Sequence, residues 1–227
     1  MATLDKIKVA VRVRPFNKRE LALGSSQTRS VVQMKNNQTV LQSPEEEEFS
    51  KHPKSFTFDH CFHSLDPKAP DFASQEDVFQ SVGTDILDNA FRGYNACIFA
   101  YGQTGSGKSY TMLGSGEQPG IIPRLCVSLF ERIGGSEGGS GGGLDAKVEV
   151  SYMEIYNEKV FDLLDFTSNK SGLKVREHHL LGPYVDGLSK LAVMSFKVSR
   201  FINKLSQIQF VQFKYRIERI SKKDLNH

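Results

Sequence analysis

The sequence predicts an α/β fold, a sheet with helices on both faces, and three observations point to it. Apolar residues alternate along Ile7 to Val13. A capped amphipathic helix follows Ser74. A short unbroken apolar run, Ala96 to Tyr101, leads straight into a glycine loop that opens a further helix. Strands interleaved with helices bury a sheet between helical layers.

Taken in order, Ile7, Val9, Val11 and Val13 fall on one face of a strand and Lys8, Ala10 and Arg12 on the other, and Pro15 ends it. A polar stretch follows, with the acidic run Glu45 to Glu48 expected as a solvated loop. Ser55 to Asp59 is a second short strand. Ser74 with Asp77 forms a capping box, after which Val78, Val82, Ile86 and Ala90 keep helical spacing until Gly93 closes the helix. Ala96 to Tyr101 has no polar alternation, which predicts a strand buried on both faces in the middle of a sheet. Pro123 suits a first helical turn, and Cys126, Leu129, Phe130 and Ile133 make an apolar stripe ending at Gly134. Residues 134–143 hold seven Gly and two Ser, which predicts a flexible insertion. Val148 to Tyr156 returns to alternation, with Val148, Val150 and Tyr152 on one side.

With 227 residues, 39% of them hydrophobic and 24% charged, the chain can bury a core, which excludes a fully disordered protein. No apolar run approaches the roughly 18 residues of a membrane span, and the first residues lack a signal-peptide stretch, so a soluble intracellular protein is expected. Cys61, Cys97 and Cys126 are odd in number and widely spaced, as free thiols in a reducing compartment would be. The net charge of +3 is uneven. Residues 196–227 have eight Lys/Arg against two Asp/Glu, leaving 21 basic and 24 acidic residues before them.

Gly102-Gln103-Thr104-Gly105-Ser106-Gly107-Lys108-Ser109 fits the phosphate-loop pattern G-x-x-x-x-G-K-[ST]. Glycines let successive amides turn toward a phosphate, Lys108 can reach the β- and γ-phosphates, Ser109 offers a hydroxyl to Mg²⁺, and the helix that follows presents its positive end. The glycine order excludes a dinucleotide fingerprint. A guanine-specific Asn-Lys-x-Asp is also missing, since Asn169-Lys170-Ser171 is followed by Gly172, so adenine is the expected base.

From Phe99 to Met112 this region resembles the phosphate loop of kinesins. Arg12-Val13-Arg14-Pro15 is similar to their N-terminal R-x-R-P segment, and Ser151-Tyr152-Met153-Glu154-Ile155-Tyr156-Asn157-Glu158 to their central strand. Val175-Arg176-Glu177-His178 and Gly182-Pro183-Tyr184-Val185 resemble the class-three, cargo-carrying kinesins. The resemblance implies a P-loop NTPase sheet of the kinesin-motor type, incomplete at its C-terminal end, with residues 1–195 as the first part of a motor domain and 196–227 as a divergent basic tail. It implies ATP and Mg²⁺ as cofactors and ATP-driven movement along microtubules, in the cytoplasm and on the cytoskeleton. No nucleic-acid partner is expected, and the cargo adaptors are left open. In such a protein Arg12, Arg14, Pro15 and Tyr110 border the adenine, and a guanidinium, a pyrrolidine ring and a phenol can all lie flat on a purine. Lys159, Lys174, Arg176 and His178 are the candidates to face the acidic surface of tubulin, against a reading as plain surface charges.

Two motifs that kinesins need for hydrolysis do not occur in the sequence: an Asn-x-x-Ser-Ser-Arg-Ser-His switch, and an Asp-x-x-Gly-x-Glu switch that holds Mg²⁺ and senses the γ-phosphate. Gly135-Ser136-Glu137 echoes the second, with Arg132 where its Asp should stand. The expected protein is a truncated motor domain deficient in turnover, with no catalytic residue assigned. The alternative is a non-enzymatic nucleotide- or tubulin-binding isoform, and a third reading is a sheet that never closes. In the tail, Val198, Phe201, Ile202, Leu205 and Ile208 keep helical spacing. Val211, Phe213, Tyr215 and Ile217 then alternate with Gln212, Lys214 and Arg216. Three readings compete: an altered end that pairs with the sheet, a basic arm for an acidic partner, and a translated segment without a selected role. The last is favoured on aggregation grounds.

Overall fold

Short alternating segments and capped amphipathic ones become strands and helices largely where the local pattern places them. The computed structural model describes residues 7–24, 29–42, 53–134, 146–165, 172–180, 182–193 and 212–219, with 146–147 and 212–219 described through their backbone. The acidic run at Glu45 to Glu48, the glycine-rich insertion from Gly135 onward, the Asn169-Lys170 pair and the helical spacing from Val198 to Ile208 lie outside them.

Strand β1 (Ala10–Val13) pairs in parallel with β5 (His60–His63), Ala10 opposite His60 and Val13 opposite His63. It is shorter than the alternation suggests, and Ile7 is 79% exposed. Helix α1 (Lys18–Leu21) follows. Strands β2 (Val32–Lys35), β3 (Gln38–Leu41) and β4 (Lys54–Thr57) form an antiparallel sheet of their own. The strand expected at Ser55 to Asp59 is therefore β4, and the pattern did not separate β5 from it.

The Ser74 capping box is present, and α2 (Gln75–Val78) runs through a π-helical turn at Phe79–Gly83 into α3 (Thr84–Phe91). The π turn was not foreseen, but the spacing carries its cause. Val78, Val82, Ile86 and Ala90 recur every fourth residue, wider than the roughly 3.6 of an α-helix, and one wide turn absorbs the excess. Gly83 makes that turn possible, since a Cβ there would lie 2.4 Å from the Phe79 ring.

Helix α4 (Lys108–Met112) and the hairpin β6 (Gly114–Ser115) and β7 (Gln118–Pro119) lead to α5 (Ile121–Gly134). Beyond it, β8 (Ala146–Tyr156) pairs antiparallel with β9 (Lys159–Asp162), β12 (Leu191–Val193) and β13 (Gln212–Arg219), while β10 (Val175–His178) and β11 (Gly182–Val185) form a separate hairpin. The core lies where α2, α3 and α5 meet β5 and β8. Phe62, Val78, Phe79, Leu87, Ile121, Leu125, Leu129, Val148 and Val150 form one buried cluster. Val148, Val150 and Tyr152 take the buried side of β8, as the alternation predicts.

One expectation fails. Ala96 to Tyr101 forms no strand, and Phe99 and Tyr101 are 82% and 96% exposed. Among the described residues no strand pairs with this run. An apolar segment becomes a central strand when neighbours on both edges take its amides and cover its faces, and without them it stays extended and open. Only Ile98 of the run packs against the core.

The β8–β9 connection is a two-residue reversal, Tyr156 pairing with Lys159, with Asn157 and Glu158 at φ 49° and 62°. Two left-handed residues define a type I′ loop, and glutamate pays a steric cost there of about 1–2 kcal/mol. Glu158→Gly relieves it at some loss of chain entropy, so a net stabilisation of about 0.5–1 kcal/mol is expected in urea unfolding.

Candidate functional site

The glycine loop combines a sharp backbone path with a cluster of donors. Gly102, Gly105 and Gly107 have φ of 150°, 80° and 97°, and Gly107 is the residue before α4. These are conformations that a side chain resists, so the loop's shape depends on glycine. At Gly102 the space is also closed, because a Cβ would lie 2.6 Å from the Ser106 hydroxyl. The Ser106 amide donates to the Gln103 carbonyl at 3.2 Å. Among the described residues, the amides of Gly105, Gly107, Lys108 and Ser109 donate to no protein acceptor. The Lys108 ammonium donates to the carbonyls of Gly102 and Gln103, both at 2.8 Å, which spends two of its three N–H groups. Gln103, Thr104, Gly105 and Ser109 are exposed, so the loop faces solvent. Amides without a protein acceptor beside an ammonium fit a phosphate chain, and Ser109 on the first turn of α4 fits a metal-bound oxygen.

Arg12 sits beneath this loop. Its Nε donates to Ser64 Oγ at 2.9 Å, and one terminal nitrogen donates to Gln75 Oε1 at 2.6 Å and to Thr111 Oγ1 at 3.1 Å. Its guanidinium lies over the Tyr110 ring, 5.5 Å from the centroid. Burial pushes Arg12 below its ordinary value, and Tyr110 works in the other direction. Ser64 and Gln75 are each 2% exposed; Ser64 donates onward to the Ala73 carbonyl at 2.6 Å, and Gln75 to the Tyr110 carbonyl at 2.6 Å. The structure thus brings Arg12 and Tyr110 together, with the polar edge of Arg12 engaged by protein groups. Gln75, Ser64 and Thr111 escaped the sequence reading. A glutamine after a helix cap carries no mark of its role, and only the fold joins residues so far apart.

Arg14 lies alongside Gly107, where a Cβ would come within 3.8 Å of Arg14 Cβ. Its two terminal nitrogens fork onto Glu20 at 2.7 and 2.8 Å, and it also donates to the carbonyl of exposed Pro15 at 2.7 Å. Glu20 also accepts the Asn17 amide at 2.8 Å, closing the capping box of α1. The hydrogen bonds from Arg14, with help from the Asn17 amide, pull the Glu20 carboxyl from 4.5 down to about 2. A depressed carboxyl contributes while it is ionised, so the cap is complete above about pH 4.5 and is lost as pH falls toward 2. The protection factor of the Asn17 amide, its exchange rate taken relative to the intrinsic rate at each pH, is therefore expected to fall through that window and to stay flat above pH 5.

The four basic candidates gather around β9 to β11. An antiparallel bridge joins Val160 to Leu173, which places Lys159 and Lys174 at adjacent register positions, both exposed. Arg176 on β10 is paired with Asp186 at 2.6 Å. His178 Nδ1 accepts the Leu180 amide at 3.2 Å, and its ring stacks on His179 with centroids 4.6 Å apart. Behind them, the buried Asp162 accepts amides from Leu164 at 2.8 Å, Asp165 at 3.3 Å and Ser189 at 2.7 Å, which ties the end of β9 to the segment entering β12.

Cys61 is half-buried, Cys97 exposed and Cys126 buried, with the Cys126 thiol pushed up to about 12 by burial. No described helix is long and apolar enough to cross a membrane.

Comparison with known proteins gives a consistent answer. The family model for the kinesin motor domain matches residues 12–211. The mouse (Mus musculus) kinesin-like protein KIF13A is 58% identical over 196 residues, covering 85% of this chain and 11% of the relative. The human (Homo sapiens) KIF13B is 57% identical over 199 residues, covering 85% and 10%. This chain thus spans about a tenth of the length of these relatives. Among solved structures, a KIF14 dimer in the two-heads-bound state, with AMP-PNP in complex with a microtubule, superposes with a TM-score of 0.77 at 41% identity, over 89% of this chain and 54% of that one.

Proposed function

Because the chain belongs to the kinesin motor-domain family and is of the class-three type, we propose that it binds Mg-ATP on the Gly102–Ser109 loop and attaches to microtubules, while turning ATP over slowly or not at all. The observation that carries this reading is the donor cluster around Lys108, with four amides and an ammonium available to a polyphosphate. When bound, ATP supplies the phosphoanhydride whose cleavage drives movement in this family.

Gly102, Gln103, Thr104, Gly105, Ser106 and Gly107 would wrap the phosphates through their backbone. Lys108 would neutralise them and Ser109 would hold Mg²⁺. Tyr110, Arg14 and Pro15 would flank the adenine, with Arg12 setting the position of Tyr110 from beneath. Residues 1–195 would form the first part of a motor domain and 134–143 a flexible insertion in it. The deficiency in turnover follows from the two missing switch motifs. Without the switch carboxylate the metal lacks its outer anchor, and without the switch glycine nothing reports the γ-phosphate.

Lys159 and Lys174 suit an acidic tubulin surface best, being exposed and adjacent. Arg176 is partly neutralised by Asp186, and His178 spends one ring nitrogen on Leu180. A cytoplasmic place on the microtubule cytoskeleton follows from such contacts.

Titration of the purified chain with Mg-ATP, followed by a steady-state ATPase assay with and without microtubules, tests the proposal. The expected result is saturable binding with negligible turnover. Robust microtubule-stimulated turnover overturns the deficiency, and absence of binding by a folded chain overturns the site. The missing switches favour a second reading, a non-enzymatic module that occupies nucleotide or tubulin. Its signature is nucleotide-dependent thermal stabilisation, about 2.7 kcal/mol at a hundredfold excess over Kd, with no hydrolysis.

A further inference from the structure

The floor of the glycine loop holds one side chain whose two polar ends meet opposite demands. Gln75, the first residue of α2 behind the Ser74 cap, is 2% exposed. Its Oε1 accepts from an Arg12 terminal nitrogen at 2.6 Å, while its Nε2 donates to the Tyr110 carbonyl at 2.6 Å and reaches the Gln118 carbonyl at 3.5 Å. Resting on the nucleotide reading above, we propose that Gln75 is a positioning residue for base recognition. By holding Arg12 and the Tyr110 backbone at once, it sets the Tyr110 ring where an adenine stacks, and so gives selectivity for a purine triphosphate over a bare polyphosphate.

The chemistry of the partners calls for an amide. A guanidinium only donates and a carbonyl only accepts, so the group between them must offer one acceptor and one donor, as the planar glutamine amide does. A carboxylate would meet Arg12 but turn an oxygen toward the Tyr110 carbonyl, and a thioether would serve neither well. Tyr110 needs such support because α4 runs only from Lys108 to Met112, and a helix so short takes its placement from contacts outside itself. The Tyr110 carbonyl is among the last four of that helix, which have no intrahelical donor, and Gln75 provides one. Arg12, fixed in turn by Ser64 and Thr111, lies over the ring 5.5 Å from its centroid, yet Tyr110 stays 40% exposed, which leaves aromatic surface beside the loop for a base. One buried amide thus holds the backbone of Tyr110 directly and its ring through the guanidinium. Among the described residues no hydrogen bond joins Gln75 to residues 102–109, so the phosphate grip and the base contact can be perturbed separately.

Calorimetric titrations of the full chain with Mg-ATP and with magnesium tripolyphosphate test this in the parent, Gln75→Glu and Gln75→Met. The Kd for Mg-ATP is expected to rise about tenfold in both variants while that for tripolyphosphate stays within about twofold of the parent. Gln75→Glu keeps the acceptor for Arg12, so it carries the test if Gln75→Met fails to fold. In a Tyr110→Ala background, Gln75→Glu is expected to add no further loss, because it acts through the ring. Parallel weakening of both ligands makes Gln75 a packing residue and overturns the proposal, as do unchanged Mg-ATP affinity, additive losses in the double variant, or loss of the fold in both single variants. A parent that binds neither ligand overturns the nucleotide reading and this inference with it. A parent that binds tripolyphosphate, with Mg-ATP affinity unchanged by Tyr110→Ala, keeps the phosphate site and overturns the base contact alone.

Discussion

Lys108→Ala is expected to lower Mg-ATP affinity by roughly 100-fold, about 2.7 kcal/mol, with little change in stability. The ammonium bonds only to carbonyls of its own loop, at Gly102 and Gln103, so its removal leaves the packing between elements intact. Toward a polyphosphate it would be the one full positive charge in the loop, and charge-assisted bonds are worth about 1.5–3 kcal/mol each. Calorimetric titration of parent and variant checks the affinity, and far-ultraviolet circular dichroism checks the fold. Equal affinity in a folded variant removes the loop from nucleotide binding.

The second large effect lies below the loop. Arg12→Ala should cost about 3 kcal/mol and lower the melting midpoint by roughly 6–12 °C in a chain of this size. The side chain bridges Ser64, Gln75 and Thr111 and covers Tyr110. Truncation would leave the Gln75 carbonyl oxygen without its donor at a position that is 2% exposed. Arg12→Lys should recover part of the loss, since an ammonium can meet one or two of these acceptors but cannot reproduce the planar fork. Differential scanning calorimetry of the three proteins measures the series, and an Arg12→Ala protein as stable as the parent would show that the bridge contributes nothing.

The two variants also mark what the sequence could and could not reveal. Most of what neighbours along the chain govern was legible, the π turn at Phe79–Gly83 and the break between β4 and β5 excepted. Ser74 and Asp77 gave the cap of α2, the stripe from Cys126 to Ile133 gave α5, and the glycine order gave the loop around Lys108. What depends on distant partners was not. Ala96 to Tyr101 has the composition of a central strand but no flanking strand among the described residues, and composition cannot report whether a neighbour exists. Gln75 and Ser64 look like ordinary helix-start and loop residues until the fold sets them against Arg12. The tail occupies the middle ground. Its alternation from Val211 to Ile217 announced a strand, which β13 is from Gln212 on, yet only the pairing with β8 gave that strand a register.

The bridge at Arg12 has a further consequence for how the protein is made. Its three partners lie 52, 63 and 99 positions away along the chain, and the parallel pairing of β1 with β5 joins segments separated by three other strands and a helix. Each such closure costs entropy before any contact repays it. During synthesis the bridge cannot be complete until Thr111 has been made, and in refolding it is expected to close later than the local turns and hairpins, so the floor of the loop sets after the short-range elements around it.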